Sequence, residues 1–291
     1  MELTGFAGEV GHEGPVTITG SGSRGGGVPG VRSVQAPSGI ELIQPDEMTV
    51  VCGAGTAVAE LDAALAEHGQ MVAIPCAGTV GGALAVGHSD IRRLGRGPIR
   101  DTLLQARYVS AQGRVVKAGG PTVKNVSGFD LCRLLVGSRG TLGFLGEVIL
   151  RTWPRPAVSR WFAGTSDPFE LLGTLYRPTA VLWDGGTTWV CLEGDAVDVD
   201  VQALQCGLPE VDGPPDLPRT GRWSVPPSEL RAVAALAGGD RFVAEVGVGI
   251  VHHSLPAPAR AMDAPRAELH RRIKLELDPS GRLNPGVVLG C

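Results

Sequence analysis

Three glycine-rich loops in the first half of the chain carry the residues best suited to hold a large anionic ligand. They fall at residues 20–27, 75–87 and 124–143, between segments with the spacing of short strands and helices. Small residues let backbone N–H groups approach an anion or a flat ring closely. Any one loop could serve only a tight turn, but the three together favour a dinucleotide-sized ligand gripped at several points.

The first loop has the spacing of a nucleotide-binding fingerprint. Gly20, Gly22 and Gly25 match G-x-G-x-x-G, and Glu41 follows about 20 residues later. That fingerprint needs a helix directly after the loop, so that the helix dipole faces the pyrophosphate. Here a Val-Pro-Gly segment follows, without helical periodicity or a capping residue. The sequence therefore argues against an NAD-type Rossmann fold.

Composition excludes several classes of protein. The chain has 291 residues, 43% of them hydrophobic, and its 26 basic against 30 acidic residues give a formal net charge of -4. Without a basic excess, nucleic acid is not expected as a partner. The six cysteines form no C-x-x-C pair and have no histidine at metal-ligand spacing, so neither a metal site nor an iron–sulfur cluster is expected. The N-terminus lacks a signal-peptide pattern and no window is apolar enough to span a membrane, which predicts a cytoplasmic protein.

Periodicity predicts an α+β order of elements in the first half of the chain. Asp130 is expected to cap a helix that runs to Val136. A further helix is expected over 57–68, where apolar residues recur at helical spacing. The expected strands lie near 16–19, 48–52, 103–109, 114–118 and 147–151.

The second half predicts a smaller α+β unit, beginning after the Trp-Pro-Arg-Pro segment at 153–156. Residues 210–219, with three prolines, are expected to form a surface loop. The expected strands lie near 160–163, 180–183, 187–192, 222–225 and 242–253. The expected helices lie near 168–176, 197–205 and 227–236.

The motifs, taken in order, resemble a known flavoprotein family. The order is G-S-G-S-R, P-C-A-G-T-V-G-G, G-P-I-R-D, V-K-N-V-S-G-F-D-L and V-G-S-R-G-T-L-G, between residues 14 and 156. It is similar to the FAD-binding, PCMH-type domain of the vanillyl-alcohol oxidase family, and within that family to the FAD-binding E subunits of bacterial glycolate oxidases. The C-terminal segment L-D-P-S-G-R-L-N-P-G resembles the tail that returns to the flavin in this family.

The resemblance implies a fold and a cofactor. The fold would be α+β, with an FAD-binding PCMH-type domain of two α+β subdomains at 1–156, a reduced, ferredoxin-like cap domain at 157–262, and a C-terminal helix and tail at 263–291. Covalent members of the family tether FAD through a histidine near the first loop. This chain has Ser23-Arg24 there, so FAD is expected to be non-covalent.

The resemblance also assigns cofactor contacts by position. Backbone amides of 20–24 and 78–82 would cradle the two phosphates, and Asn284 would hydrogen-bond the ring edge. His88 follows the second loop and either faces the flavin or is a satisfied surface histidine. Arg100-Asp101 is either a turn ion pair or a cofactor contact. The expected contacts are Gly20, Ser21, Gly22, Ser23, Arg24, Pro75, Gly78, Thr79, Val80, Gly81, Gly82, Gly87, Arg100, Asp101, Lys124, Asn125, Gly128, Gly140, Thr141 and Asn284.

The chain offers few residues for catalysis. Oxidation of a 2-hydroxy acid by a flavin needs a base for the hydroxyl proton, and the weak candidates are His252 and His253. Adjacent residues on a strand point to opposite faces, so these two cannot jointly chelate a metal. Arg271, Arg272 and Lys274 are expected to form a solvated or subunit-contact face.

The resemblance therefore implies a subunit function. The chain would carry electrons from glycolate or D-lactate within a complex that also contains a catalytic-type flavin subunit and an iron–sulfur subunit, with any membrane association supplied by those partners. Two alternatives stay open. One is a free-standing FAD-dependent dehydrogenase or oxidase of a small hydroxy acid or alcohol, and the other is a flavin-binding scaffold without turnover.

Overall fold

The structure, a computed structural model, describes residues 1–25, 27–121, 130–236, 239–258 and 262–287. The chain divides into two compact units. The first comprises Met1–Asp90, Pro98–Arg155 and Ala261–Cys291, and the second comprises Ile91–Gly97 and Pro156–Arg260. The short segment 91–97 thus belongs to the second unit, although the sequence pattern placed it within the first domain.

Helices and strands alternate in an α+β order, which confirms the predicted class. In the described residues the helices are α1 (Thr4–Val10), α2 (Val58–Ala66), α3 (Val80–Val86), α4 (Arg93–Arg96), α5 (Leu131–Leu135), α6 (Pro168–Thr174), α7 (Ala196–Cys206), α8 (Leu230–Leu236) and α9 (Ala264–Leu277). The strands are β1 (Val16–Thr19), β2 (Arg32–Gln35), β3 (Ile40–Gln44), β4 (Thr49–Gly53), β5 (Gln70–Met71), β6 (Leu103–Val109), β7 (Val115–Gly119), β8 (Phe144–Arg151), β9 (Trp153–Pro154), β10 (Val158–Gly164), β11 (Ala180–Trp183), β12 (Thr188–Gly194), β13 (Glu210–Val211), β14 (Gly221–Ser224), β15 (Phe242–Glu245) and β16 (Ile250–His253). Across the described part of the chain, no helix is both long and apolar enough to cross a bilayer.

An antiparallel sheet of five strands, in the order β3-β4-β8-β6-β7, forms the centre of the first unit. Leu61 and Leu65 of α2 and Leu84 of α3 are fully buried in one core with Val148 and Leu150 of β8. Burying apolar side chains of this size contributes about 1.5–3 kcal/mol each, so this core holds the helices against the sheet. The loops that begin and end α3 are thereby fixed in place.

The first loop leaves strand β1 and reaches strand β2 with no helix between them in the described residues. β1 and β2 pair in parallel as a separate two-stranded sheet. This arrangement agrees with the sequence argument against a Rossmann fold, which requires a helix at that position.

A second core cluster brings the C-terminal tail to the start of the chain. Phe6 and Val10 of α1 pack with Val16 of β1 and with Leu283 of the tail, all of them buried. Val16 also forms a parallel β-bridge with Leu283. Apolar burial and backbone pairing therefore place the residues that follow Leu283 beside β1 and the first loop.

The second unit contains an antiparallel sheet of seven strands, in the order β13-β10-β12-β11-β15-β16-β14. Neighbouring residues of β12 alternate between two core clusters: Leu192 packs with Phe162 and Val199, while Cys191 packs with Trp161 on the opposite face. The order strand-helix-strand, expected twice from the sequence, occurs as β10-α6-β11 and β12-α7-β13.

Two sequence predictions for the second unit were wrong in detail. Residues 242–253 were expected to form one strand but form a hairpin of β15 and β16. Gly247 and Gly249 have φ angles of 81° and 85°, which turn the chain between the strands at a conformation that glycine adopts without strain. Glu210–Val211 pairs with β10 as a short strand, although these residues were expected to begin a surface loop.

Candidate functional site

A cavity of about 450 Å³ lies in the first unit, where the glycine-rich loops meet. Its wall comes from the first loop, from the start of α3, from the turn after α5 and from the C-terminal tail. Elements far apart in sequence thus build one site. The expected contacts that line it are Gly20, Ser21, Gly22, Ser23, Arg24, Thr79, Gly81, Gly82, Gly140 and Asn284.

The first loop presents backbone donors to this cavity. Gly22 has a φ of 74°, and the N–H groups of Ser21, Gly22 and Ser23 donate no hydrogen bond to any described residue. The Arg24 Nη2 donates to the Pro75 carbonyl at 3.2 Å, which holds the guanidinium against the second loop. Burial lowers the pKa of Arg24. Consecutive N–H groups beside a partly desolvated arginine form a site for an anion such as a diphosphate.

Gly78 lets the first loop pack against the second. A Cβ at this position would lie 2.3 Å from the Ser23 Oγ and 2.6 Å from the Arg24 Nη1. The glycine also has a φ of 79°, a conformation that other residues adopt with strain. Gly78 does not line the cavity, but its missing side chain allows Arg24 to reach its position.

The start of α3 leaves space in the cavity but offers few free backbone N–H donors to a ligand. The Val80 N–H donates to the Thr56 carbonyl at 2.9 Å, and the Gly81 N–H donates to the Ala54 carbonyl at 2.7 Å. The Gly82 N–H donates to the Thr79 Oγ1 at 3.2 Å, so Thr79 is the N-cap of α3. These three amides are therefore bonded within the protein, in contrast to the expected phosphate cradle over 78–82.

Asn284 ties the C-terminal tail to two other parts of the wall. Its Oδ1 accepts from the Thr17 Oγ1 at 2.8 Å and from the Ile18 N–H at 3.1 Å, and its Nδ2 donates to the Arg139 carbonyl at 2.6 Å. A Cβ at Gly140 would lie 2.6 Å from that Nδ2. The amide expected to contact the ring edge thus also holds β1 and the turn after α5 together.

The tail motif is held by a buried carboxylate. The Asp278 Oδ2 accepts from the Lys274 Nζ at 2.6 Å and from the Leu283 N–H at 2.9 Å. Lys274 also donates to the Thr141 carbonyl at 2.7 Å, so the expectation that it forms a solvated or subunit-contact face was wrong. The Arg282 guanidinium donates to backbone carbonyls that include those of Val10 and Gly14, each at 2.8 Å. The polar residues of this motif fix the path of the tail to Asn284.

Several expected contacts lie elsewhere. Asp130 accepts from the Arg133 N–H at 3.2 Å, which confirms it as the cap of α5. Asp101 faces Arg100 at 3.8 Å and Arg133 at 3.5 Å, in agreement with the ion-pair alternative. The described residues among the expected contacts that do not line the cavity are Pro75, Gly78, Val80, Gly87, Arg100, Asp101 and Thr141. Lys124, Asn125 and Gly128 lie outside the described residues.

Other residues line the cavity that were not predicted to contact the cofactor. Arg139 is the most polar of them, and it lies inside the V-G-S-R-G-T-L-G motif, where only Gly140 and Thr141 were selected. His88, for which two alternatives were open, also lines the cavity. The further members are Ile18, Thr19, Gly25, Ala36, Ala54, Gly55, Ala85, Val86, Leu135, Ser138, Gly143, Phe144, Leu145 and Val287.

The two candidate histidines in the second unit have different surroundings. His253 is 1% exposed and stacks on Trp223 at 3.9 Å between ring centroids, and its Nδ1 accepts from the Leu255 N–H at 2.9 Å. The His252 Nε2 lies 2.9 Å from the Oε1 of the buried Glu245. The enclosure of His253 makes it a core residue, whereas His252 forms a histidine–carboxylate pair.

Metal ligands and reactive thiols are sparse in the part of the chain that the structure describes. No group of three or more His, Cys, Asp or Glu residues there could hold a metal ion. Burial raises the pKa of the Cys52 thiol to about 12 and that of Cys132 to about 11, which keeps both protonated at neutral pH. Cys76 is exposed.

Some known proteins are similar to part of the chain, and others are similar to nearly all of it. Residues 10–119 match the family model of an FAD binding domain, FAD_binding_4. Glycolate oxidase subunit GlcE of Escherichia coli (strain K12) is 28% identical over 94% of this chain and 92% of its own length. A D-lactate dehydrogenase of Archaeoglobus fulgidus is 37% identical over 47% of this chain, and the match spans only 32% of that enzyme.

The fold is also found in a solved structure. An alkyldihydroxyacetonephosphate synthase matches with a TM-score of 0.68 and 14% sequence identity, covering 97% of this chain and 72% of that one. At this identity the likeness concerns the fold alone. Together with the match to the FAD binding domain, it agrees with the fold expected from the motifs. Residues 10–119 thus match an FAD binding domain, and nearly the whole chain is similar to a glycolate oxidase subunit.

Proposed function

We propose that the cavity of the first unit binds FAD non-covalently and that the first loop holds its diphosphate. The unbonded N–H groups of Ser21, Gly22 and Ser23, with Arg24 beside them, are the observation that carries this proposal. When bound, FAD supplies the acceptor for two electrons from a substrate. The chain's own residues orient the cofactor, and the glycines of the wall leave space for its flat parts.

We further propose that this chain is a flavin subunit of a hetero-oligomer that oxidises glycolate or a related 2-hydroxy acid such as D-lactate. The similarity to a glycolate oxidase subunit over nearly the whole of both chains supports this proposal. The small number of candidate catalytic residues supports it too. One of the two, His253, is enclosed in a core and cannot exchange a proton with a substrate. The proposed partners are a catalytic-type flavin subunit and an iron–sulfur subunit.

One observation favours the alternative of a free-standing dehydrogenase. A carboxylate that accepts a hydrogen bond from one imidazole nitrogen fixes the orientation and the tautomer of the ring. Glu245 and His252 are so arranged, at 2.9 Å. In this alternative, His252 would take the hydroxyl proton of the substrate.

Anaerobic addition of glycolate, and separately of D-lactate, to the FAD-loaded lone chain discriminates between the two functions. We expect the visible flavin absorption of the lone chain to persist, and that of the complex co-expressed with its partner subunits to bleach. Bleaching of the lone chain, abolished by His252→Gln and retained in Arg271→Gln, would support the free-standing enzyme and refute the subunit function. Persistence in both the lone chain and the intact complex would favour a scaffold without turnover.

A further inference from the structure

Arg139 has an unusual backbone conformation that other parts of the chain hold in place. Its φ is 50°, in the left-handed region that residues with a Cβ adopt at a cost. Its N–H donates to the Ala85 carbonyl at 2.8 Å, and its carbonyl accepts from the Asn284 Nδ2 at 2.6 Å. Hydrogen bonds on both sides of the residue therefore fix the turn, and glycine would satisfy them with less strain.

Arg139 is a cationic residue of the cavity wall, and it is exposed. Arg24, Arg139 and His88 are the titratable residues among the described lining residues, and no carboxylate accompanies them. Arg24 is engaged with the Pro75 carbonyl, and His88 has an interaction of its own. The guanidinium of Arg139 makes no hydrogen bond or ion pair with the described part of the protein. A partially enclosed wall with cations and without carboxylates attracts an anion.

We propose that Arg139 is a cofactor-binding residue that places its guanidinium against an anionic group of FAD. FAD carries negative charge at its diphosphate in every redox state, and the flavin ring gains negative charge when it is reduced. A guanidinium binds either group through charge-assisted hydrogen bonds. This inference rests on the proposed binding of FAD in the cavity, and it adds a residue that the motif resemblance did not select.

Arg177 shows that the backbone conformation alone does not mark a functional residue. It is an exposed arginine with the same φ of 50°, but it lies in the second unit and does not line the cavity. The difference between the two arginines is therefore the cavity, which makes Arg177 a matched control. Replacement by glycine removes the same side chain and the same backbone strain at both positions.

The test compares Arg139→Gly, Arg139→Lys and Arg177→Gly with the wild-type chain. The measurements are the affinity of each refolded apoprotein for FAD, the reduction potential of the bound flavin and the thermal stability without cofactor. We expect both glycine variants to be at least as stable as the wild type. We expect Arg139→Gly alone to lose about tenfold to 100-fold in FAD affinity if its partner is the diphosphate. If its partner is the reduced ring, the reduction potential will fall while the affinity for oxidised FAD changes little.

Arg139→Lys should retain part of either effect, because lysine keeps the charge without the planar fork. If Arg139 makes an ionic contact, added salt should weaken FAD binding more in the wild type than in Arg139→Gly. Unchanged affinity and unchanged potential in Arg139→Gly, as in Arg177→Gly, would refute the proposal while leaving FAD binding intact. Failure of the wild-type chain to bind FAD would refute the proposed function as well.

Discussion

At the scale of residues, the glycines of this site matter because their missing side chains let neighbouring residues approach closely. Gly20 would place a Cβ 2.9 Å from the Thr79 Oγ1, and Gly140 would place one 2.6 Å from the Asn284 Nδ2. The glycines of the motifs therefore bring loops together as well as leaving space for a ligand. The sequence predicted that such residues were needed but could not specify which of these two functions each one performs.

Gly78 offers a direct test of this packing between loops. In Gly78→Ala the new methyl group would displace Ser23 and Arg24, whereas a Cβ at Gly30, with a φ of 74°, meets nothing within 4 Å. We expect both alanine variants to lose about 1 kcal/mol of stability from backbone strain. Only Gly78→Ala should also bind FAD more weakly, by about tenfold, because Arg24 is moved. Equal FAD affinity in the two variants would contradict this account.

Local signals were sufficient for some residues and insufficient for others. Asp130 was predicted as a helix cap because a cap depends only on residues up to three positions away. Lys274 was assigned to a surface because its partners, Asp278 and the Thr141 carbonyl, are fixed by the path of the tail rather than by helical periodicity. Arg139 was missed for the same reason, since its place on the cavity wall depends on α3 and on Asn284.

At the scale of elements, the pairing of β6 with β8 includes a charged pair in a buried position. Arg107 and Glu147 are cross-strand partners, with the Arg107 Nη1 3.3 Å from the carboxylate, and the Met1 amino group lies 2.6 Å from it. Burial alone would raise the pKa of Glu147, but hydrogen bonds from the Met1 amino group and Arg107 lower it on balance. The carboxylate is thus charged in the folded protein and contributes to stability in that form.

Glu147→Gln should therefore have a pH-dependent cost. A lowered pKa in the folded state means that the contribution is complete above the ordinary value of 4.5 and is lost as the pH falls below it. Denaturant unfolding at pH 7 should show a loss of about 1–3 kcal/mol, and the difference from the wild type should shrink as the pH falls from 4.5 towards 3. Glu41→Gln, at an exposed carboxylate that also contacts the Met1 amino group, should cost less at pH 7. A pH-independent cost for Glu147→Gln would exclude this origin.

Most elements were predictable because strand and helix periodicity are local properties. The predicted strand at 180–183 coincides with β11, and the predicted strand at 103–109 coincides with β6. The hairpin of β15 and β16 was missed because both of its strands and its turn lie within one apolar run, where periodicity gives no break. Gly247 and Gly249 were the available signal for that turn.

At the scale of the whole molecule, the motif order predicted the fold class and the cofactor better than any single motif could. The G-x-G-x-x-G match alone pointed to a different fold, whereas the order of five motifs favoured an FAD-binding domain, in agreement with the family model that residues 10–119 match. The assembly of the cavity was not predictable in detail, since Asn284 reaches it from a tail that lies 139 residues beyond Leu145, the wall residue that precedes it in the sequence.

Reconstitution followed by acid precipitation shows whether this chain by itself holds FAD, and whether it does so without a covalent bond. The lone chain is refolded with FAD, freed of excess cofactor, and its visible spectrum is recorded before and after the protein is precipitated. We predict a bound-flavin spectrum that moves completely into the supernatant. Absence of flavin from the refolded chain, or flavin that stays with the precipitate, would contradict the account.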